Sequence, residues 1–224
     1  MTTNPSLARY PLVDAWISFE PDGSVLLRSG KVDIGQRVSA ALVLLAAEEL
    51  DVDPARIRVA PRETGHVPDE GYTSGSRSMT ESGDAIRLAS ATARRYLLGL
   101  AREQLGSDQL EVSDGLVRAR DSNRTATYGQ LAAGRSLAIP IDTGITVKPA
   151  AEHRLLGRDA IAPGLAGLTT GATRFVHDMT LPGMLHARVV RPPHPEARLE
   201  SLDPDIETRL RGGSLVRDGS FLAV

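Results

Sequence analysis

The sequence predicts an α+β fold, on three observations. Short stretches with strand alternation recur through residues 1–135, two longer stretches carry apolar residues at helical spacing, and Gly, Pro, Asp and Ser punctuate the joins. The resulting β–α–β–loop–α–β order is that of an α+β layer.

The elements follow in order. Trp16-Ile17-Ser18-Phe19 and Val25-Leu26-Leu27-Arg28 flank Glu20-Pro21-Asp22-Gly23, a turn that makes the opening a β-hairpin, ended by Gly30. Over 36–50, Val38, Ala41, Leu42, Leu44, Leu45, Ala46 and Leu50 cover most of a helix's circumference, so this helix packs on more than one side, and Asp53-Pro54 stops it. Ile57-Arg58-Val59-Ala60 alternates like a strand. The stretch 62–77 is polar, lacks periodicity and is broken by Pro68, Gly71 and Gly75; loops this long inside compact domains tend to be functional.

Ser78-Met79-Thr80-Glu81 has the S-x-x-E pattern of a capping box, and Ile86, Ala89, Ala93, Tyr96, Leu97 and Leu100 carry the longest helix to a stop at Gly106. Leu110-Glu111-Val112 and Leu116-Val117-Arg118 around Ser113-Asp114-Gly115 form a second hairpin, and Thr125-Ala126-Thr127-Tyr128 adds a strand before a helical turn near Leu131. Between 132 and 172 apolar periodicity fades among Gly, Pro, Ala and Thr, with Lys148-Pro149 and Ala162-Pro163-Gly164 reading as linker. This divides the chain into 1–135, a linker 136–171, and 172–224. In the last part Phe175-Val176-His177-Asp178 is followed by a turn at Leu181-Pro182-Gly183-Met184 and a strand at 185–191, closed by Pro192-Pro193. Ser220-Phe221-Leu222-Ala223-Val224 reads as an element cut short.

The 224 residues suffice for one large domain or two small ones. A net charge of −2 and a pI near 6.2 create no field that would gather nucleic acid or an anionic membrane. With no Cys, the chain has no disulfide, no thiolate nucleophile and no Cys-bound zinc or iron–sulfur cluster. Neither a leader pattern nor an apolar stretch of spanning length occurs, so the expected location is cytoplasmic.

Two segments carry the chemistry. Gly30-Lys31-Val32-Asp33-Ile34-Gly35-Gln36-Arg37 and Tyr72-Thr73-Ser74-Gly75-Ser76-Arg77-Ser78 each lead through glycine into a helix. A helix start leaves backbone N–H groups unpaired and carries partial positive charge, so two such starts dressed with Gln36, Thr73, Ser74, Ser76 and Ser78 suit a phosphate-bearing cofactor. Structural readings stand beside this one. A glycine turn before an apolar helix is ordinary helix-start chemistry, and Ser78 with Glu81 can simply cap. Asp69 and Glu70, adjacent in a polar loop, point apart and stay solvated rather than forming an acid–base pair. His177, His186 and His194 lack the close pairing of a zinc site, and Arg94, Arg95 and Arg102 form a solvated helix face. No catalytic residue and no metal ligand is assigned.

These stretches resemble the molybdenum-binding subunits of the xanthine dehydrogenase/aldehyde oxidase family, in particular bacterial isoquinoline oxidoreductases and nicotinate dehydrogenases. The resemblance is carried by Ser29 to Gln36, by Ala46-Ala47-Glu48-Glu49-Leu50-Asp51-Val52, by Pro68 to Ser78, by Phe175 to Met179 and by Pro182 to Pro193. It implies a molybdenum-cofactor-binding α/β layer over 1–135 and, over 172–224, the beginning of an a/b hammerhead-type domain. It implies cofactor contacts at Gly35, Gln36, Thr73, Ser74, Gly75, Ser76 and Ser78, and a molybdopterin in dinucleotide form, of the cytosine type.

The implied function is the cofactor-binding portion of a hydroxylase large subunit that oxidises an aldehyde or N-heterocyclic aromatic, with water as the oxygen source. Its implied partners are an iron–sulfur subunit, the rest of the molybdenum subunit and a small-molecule substrate. Two departures stand out. Family members often read G-Q-G where this chain has Gly35-Gln36-Arg37, and the G-x-G-E segment that carries their general-base Glu is absent here. Turnover by this chain alone is therefore not expected. The alternatives are a non-catalytic truncated remnant or interaction module without cofactor, and a generic phosphate-binding α+β domain, the latter weakened by the lack of G-x-x-x-x-G-K-[ST] and G-x-G-x-x-G.

Overall fold

A computed structural model of the chain describes residues 4–159 and 164–224, which fall into two compact units, 1–170 and 171–224. The first unit is a mixed α+β arrangement with small sheets. Helix α1 (Pro5–Arg9) is capped by Asn4, whose side chain accepts from the amides of Ser6 and Leu7. Strands β1 (Ile17–Phe19) and β2 (Val25–Leu27) form the expected hairpin, with Gly23 at φ 82 in its turn. The hairpin leads into α2 (Val38–Leu50), and β3 (Ile57–Val59) then returns parallel to β2, in the register Val25↔Ile57 and Leu27↔Val59. A parallel neighbour needs a long crossover, and α2 supplies it.

The longest element is α3 (Asp84–Leu105), preceded by a single π-helical turn, Met79–Gly83. Gly106 ends it at φ 59, as its position in the sequence predicts, with its amide donating to Arg102 O at 2.8 Å. Strands β4 (Leu110–Ser113), β5 (Leu116–Ala119) and β6 (Thr125–Thr127) make an antiparallel sheet. Asp114 (φ 49) and Gly115 (φ 69) form the β4–β5 turn with positive dihedrals at both central positions, the twist a two-residue hairpin prefers. Helix α4 (Tyr128–Ala132) starts in a capping box between Thr127 and Gln130.

The core lies between the two long helices and the sheets. Ala46, Ala47 and Leu50 of α2 and Ala85, Ile86, Ala89, Ala93 and Leu97 of α3 are buried with Trp16, Ile17, Leu27, Val117 and Leu131. Small residues on facing helices let the axes approach closely. Residues 137–156, whose composition reads as linker, are packed. Leu137 and Ile141 are buried, and the amides of Val13 and Ile141 donate to Ile139 O and Pro11 O. Composition misses this because the partners are single residues far away in the chain, not a periodic neighbour.

A short helix α5 (Leu165–Thr169) closes the first unit. The second unit has a helical turn α6 (Ile206–Arg209) and the hairpin β7 (Val216–Asp218)–β8 (Phe221–Ala223). The strand expected over 185–191 reduces to a bridge, Val189↔Ala223, flanked by the reciprocal bonds of Arg188 and Val224. Among the described residues no helix is long and apolar enough to cross a membrane.

Candidate functional site

The inward register of β2 continues past its end. Val25, Leu27, Ser29 and Lys31 are all buried at alternate positions, so the strand's period carries a lysine into the interior with 1% of its side chain exposed. There the 30–37 loop meets the 68–78 loop. A Cβ on Gly30 would stand 2.1 Å from Pro68 O, so only glycine permits the approach. Lys31 Nζ donates to Glu70 O at 2.8 Å and to Tyr72 O at 3.4 Å and lies 3.7 Å from Glu81 Oε2. The amide of Val32 donates to Thr73 Oγ1 at 2.9 Å.

Glu70 is the junction, and this corrects its reading as a solvated loop carboxylate. Its Oε1 accepts from Ser6 Oγ at 3.0 Å and Ser82 Oγ at 2.5 Å, and its Oε2 accepts from Ser29 Oγ and the Gly30 amide, both at 2.9 Å. Asp69, in contrast, is exposed; the Gly71 amide and the Arg9 guanidinium hold its carboxyl below the ordinary carboxylate range. Sequence reasoning misplaces Glu70 in solvent and misses Lys31, although the alternation from Val25 to Lys31 is a signal for the latter.

The expected site residues divide by what they do. Gly35 takes φ 102, and nothing lies within 4 Å of where its Cβ would be, which leaves open space over the loop. Gln36 folds back on its own loop: its Oε1 accepts from the Ile34 amide at 2.6 Å and its Nε2 donates to Val32 O at 3.0 Å. The first turn of α2 is capped by Asp33, which accepts from the Ser39 amide at 3.1 Å and from the Ser39 hydroxyl. Thr73 bridges to Val32. Ser74, Gly75 and Ser76 are exposed, with Gly75 at φ 64 and Ser76 at φ 55, and Ser78 is half-buried. A non-glycine residue held at positive φ stores strain that tends to gather at functional sites.

The capping box expected of Ser78 and Glu81 does not form. Ser78 makes no side-chain cap, and Glu81 turns between Lys31 and Arg77, 3.6 Å from Arg77 Nη1. Asn4 Nδ2 meanwhile donates to Glu81 O at 2.9 Å and to Asp84 Oδ2 at 3.0 Å. The two helix entrances thus lie side by side, joined by Lys31, Glu70 and Thr73. Their surface is open and mixes hydroxyls with exposed Val32, Ile34, Tyr72 and Met79. A separate cleft of about 470 Å³ runs along α3, lined by Arg94, Arg95, Arg102 and Lys148. All four cations are paired: Arg94 and Lys148 with Asp51, Arg95 with Asp142 and Arg102 with Asp108.

The donor set of the two-loop face fits a phosphate-bearing pterin. Among the described residues the hydroxyls of Ser74, Ser76 and Ser78 donate to no protein acceptor, Gly35 leaves room for close approach, the Glu70 carboxylate is taken up by four internal donors, and Glu81 is paired with Lys31. No three His, Asp or Glu side chains among the described residues come together as a metal cage.

A mixed α+β layer with two glycine-bent helix entrances placed together defines a cofactor-binding domain. Residues 2–154 match the molybdopterin cofactor-binding domain, and the chain belongs to that domain of the xanthine dehydrogenase/aldehyde oxidase family. A nicotinate dehydrogenase subunit of Pseudomonas putida is 36% identical over 80% of this chain and 15% of its own length. The beta subunit of isoquinoline 1-oxidoreductase of Brevundimonas diminuta is 29% identical over 84% of this chain and 29% of its own length. The solved CO dehydrogenase from Oligotropha carboxidovorans covers 52% of this chain and 15% of its own, at 26% identity and a TM-score of 0.45. The chain therefore spans less than a third of the relatives it matches.

Proposed function

We propose that this chain is the molybdopterin-binding portion of a molybdenum hydroxylase large subunit that oxidises an aldehyde or an N-heterocyclic aromatic, with water as the oxygen source. The observation that carries this reading is the joining of the two loops, Lys31 and Gly30 to Glu70 and Val32 to Thr73; on this reading the cofactor contacts are Gly35 and Gln36 of the first loop and Thr73, Ser74, Gly75, Ser76 and Ser78 of the second. Bound molybdopterin supplies the metal centre at which the substrate is hydroxylated. The protein's share is binding: backbone N–H groups at the glycine turns and serine hydroxyls donate to phosphate and pterin oxygens, while Gln36 and Thr73 fix the loop shapes.

A dinucleotide form of the cofactor is read from two neighbouring donor sets on one face, and its cytosine type rests on the family resemblance alone. Residues 172–224 are read as the beginning of an a/b hammerhead-type domain. The implied partners are the rest of the molybdenum subunit and an iron–sulfur subunit, because a chain without Cys holds no such cluster by thiolates. The test is to co-express the chain with the products of its neighbouring reading frames and assay the purified material for molybdenum and pterin. Both are expected in the assembled complex, and their absence from a fully assembled complex overturns the reading.

A further inference from the structure

We infer that Glu70 is the positioning residue of the two-loop face: its carboxylate fixes the 30–37 loop, the 68–78 loop and α1 in one arrangement and thereby sets where the cofactor donors stand. This rests on the reading of that face as a molybdopterin site. Four donors from three places in the chain converge on two oxygens: Ser6 in α1, the adjacent Ser29 and Gly30 after β2, and Ser82 in the π turn before α3. The Gly30 amide can only donate, and the three hydroxyls are placed to donate as well, so the carboxylate works as the common acceptor. The main chain of the same residue is held as well, since Glu70 O accepts from the buried Lys31. The hydroxyl-bearing stretch 74–78 follows directly on this anchored piece. Its place relative to Gly35 and Gln36 is set through residues 70–73.

The donor pattern makes the two informative substitutions unequal. In Glu70→Gln the carbonyl oxygen keeps the Ser29 and Gly30 donors, and the amide turns to Ser6 and Ser82, whose hydroxyls rotate to accept from it. In Glu70→Ala all four donors lose their acceptor around a void. The conservative variant therefore rescues most of the arrangement.

The experiment compares wild type, Glu70→Gln, Glu70→Ala and the core truncation Val117→Ala on β5, all in the 224-residue chain. Hydrogen exchange is read at the amides of Gly30 and Val32, whose acceptors are Glu70 and Thr73. Glu70→Ala is expected to speed exchange at Gly30 by about tenfold or more, the factor that loss of a hydrogen bond to a carboxylate implies, and at Val32 by less, through release of the Thr73 loop, with Glu70→Gln well below both. Equal protection of these amides in wild type and Glu70→Ala overturns the inference.

The same four proteins, co-expressed with their neighbouring reading frames, are then assayed for molybdenum and pterin. Val117→Ala, destabilised without touching the loops' bonds, should keep its cofactor, Glu70→Gln most of it and Glu70→Ala little. If Glu70→Ala retains as much pterin as Val117→Ala, Glu70 does not position the site. If wild type carries no pterin while Glu70→Ala still frees the two amides, the positioning of the loops stands and it is the cofactor reading that falls.

Discussion

Lys31 Nζ lies 3.7 Å from Glu81 Oε2, with 1% of the lysine side chain and 15% of the glutamate side chain exposed. An ammonium so nearly dry must be both neutralised and hydrogen-bonded, and it is, through Glu81 and the carbonyls of Glu70 and Tyr72. Lys31 stands in the loop that opens α2, and Glu81 in the π turn that opens α3. One ion pair thus ties the entrances of both long helices, and it draws Glu81 away from the capping role that its spacing from Ser78 predicts.

Removing that ammonium leaves the carbonyls of Glu70 and Tyr72 without its donation and Glu81 with only the exposed Arg77 as a cationic partner. Lys31→Met, close in volume and uncharged, is expected to destabilise the first unit by about 3 kcal/mol, the low end for breaking a buried pair, because Glu81 retains some access to water. Urea denaturation followed by circular dichroism measures this. A midpoint equal to that of wild type would show that the pair contributes nothing.

Gly30 and Gly35 separate packing from backbone strain. Gly30→Ala drives a methyl to 2.1 Å from Pro68 O and forces the two loops apart, so about 2 kcal/mol of destabilisation and loss of pterin are expected together. Gly35→Ala meets nothing within 4 Å but must hold φ near 102, at a cost of about 1 kcal/mol. Urea midpoints in the opposite order would contradict the closeness of the loops at Gly30.

Glu48 straps residues 154–156 onto α2, its carboxylate accepting from the amides of Arg154, Leu155 and Leu156. Burial alone would raise its pKa, but these three donors together with Lys148 more than offset that and hold it below the ordinary value of 4.5. A depressed carboxylate contributes stability that is fully present above its unfolded pKa and is lost as pH falls through the folded one. The urea midpoint of wild type should therefore drop as pH is lowered below about 4.5, and Glu48→Gln should start lower and depend less on pH in that range. Parallel pH profiles for the two proteins would rule out this role for Glu48.

Those elements that local chemistry determines were legible in the sequence: the Asp114-Gly115 hairpin, the stop at Gly106, and the helices α2 and α3 with their apolar spacing. The proximity of the two glycine-bent entrances follows from the same signals, since β2, α2 and β3 must pack as a crossover. What escaped is set by residues distant in the chain. Glu70 looks solvated until Ser6, Ser29 and Ser82 fold around it, and the Ser78–Glu81 capping box looks complete until Lys31 arrives from the other loop. Glu48 and Glu49 stand in the last turn of α2, yet both accept from backbone amides about a hundred residues on, in a stretch with no periodicity to mark it.

The serine hydroxyls of the second loop supply a direct test of where the cofactor binds. A combined Ser74→Ala, Ser76→Gly, Ser78→Ala protein removes three donors without disturbing the Lys31–Glu70 junction, and glycine suits the φ of 55 that Ser76 adopts. Surface changes of this kind alter stability by about 0.5 kcal/mol or less, so the thermal midpoint should move by no more than about 2 °C. Each neutral hydrogen bond lost from the cofactor is worth roughly 1 kcal/mol, so three together should lower pterin retention by more than about tenfold. Molybdenum and pterin measured per mole of purified complex decide the matter. Full loading of the triple variant beside an unchanged midpoint would mean that these hydroxyls face away from the cofactor and that the donors must be sought on the 30–37 loop alone.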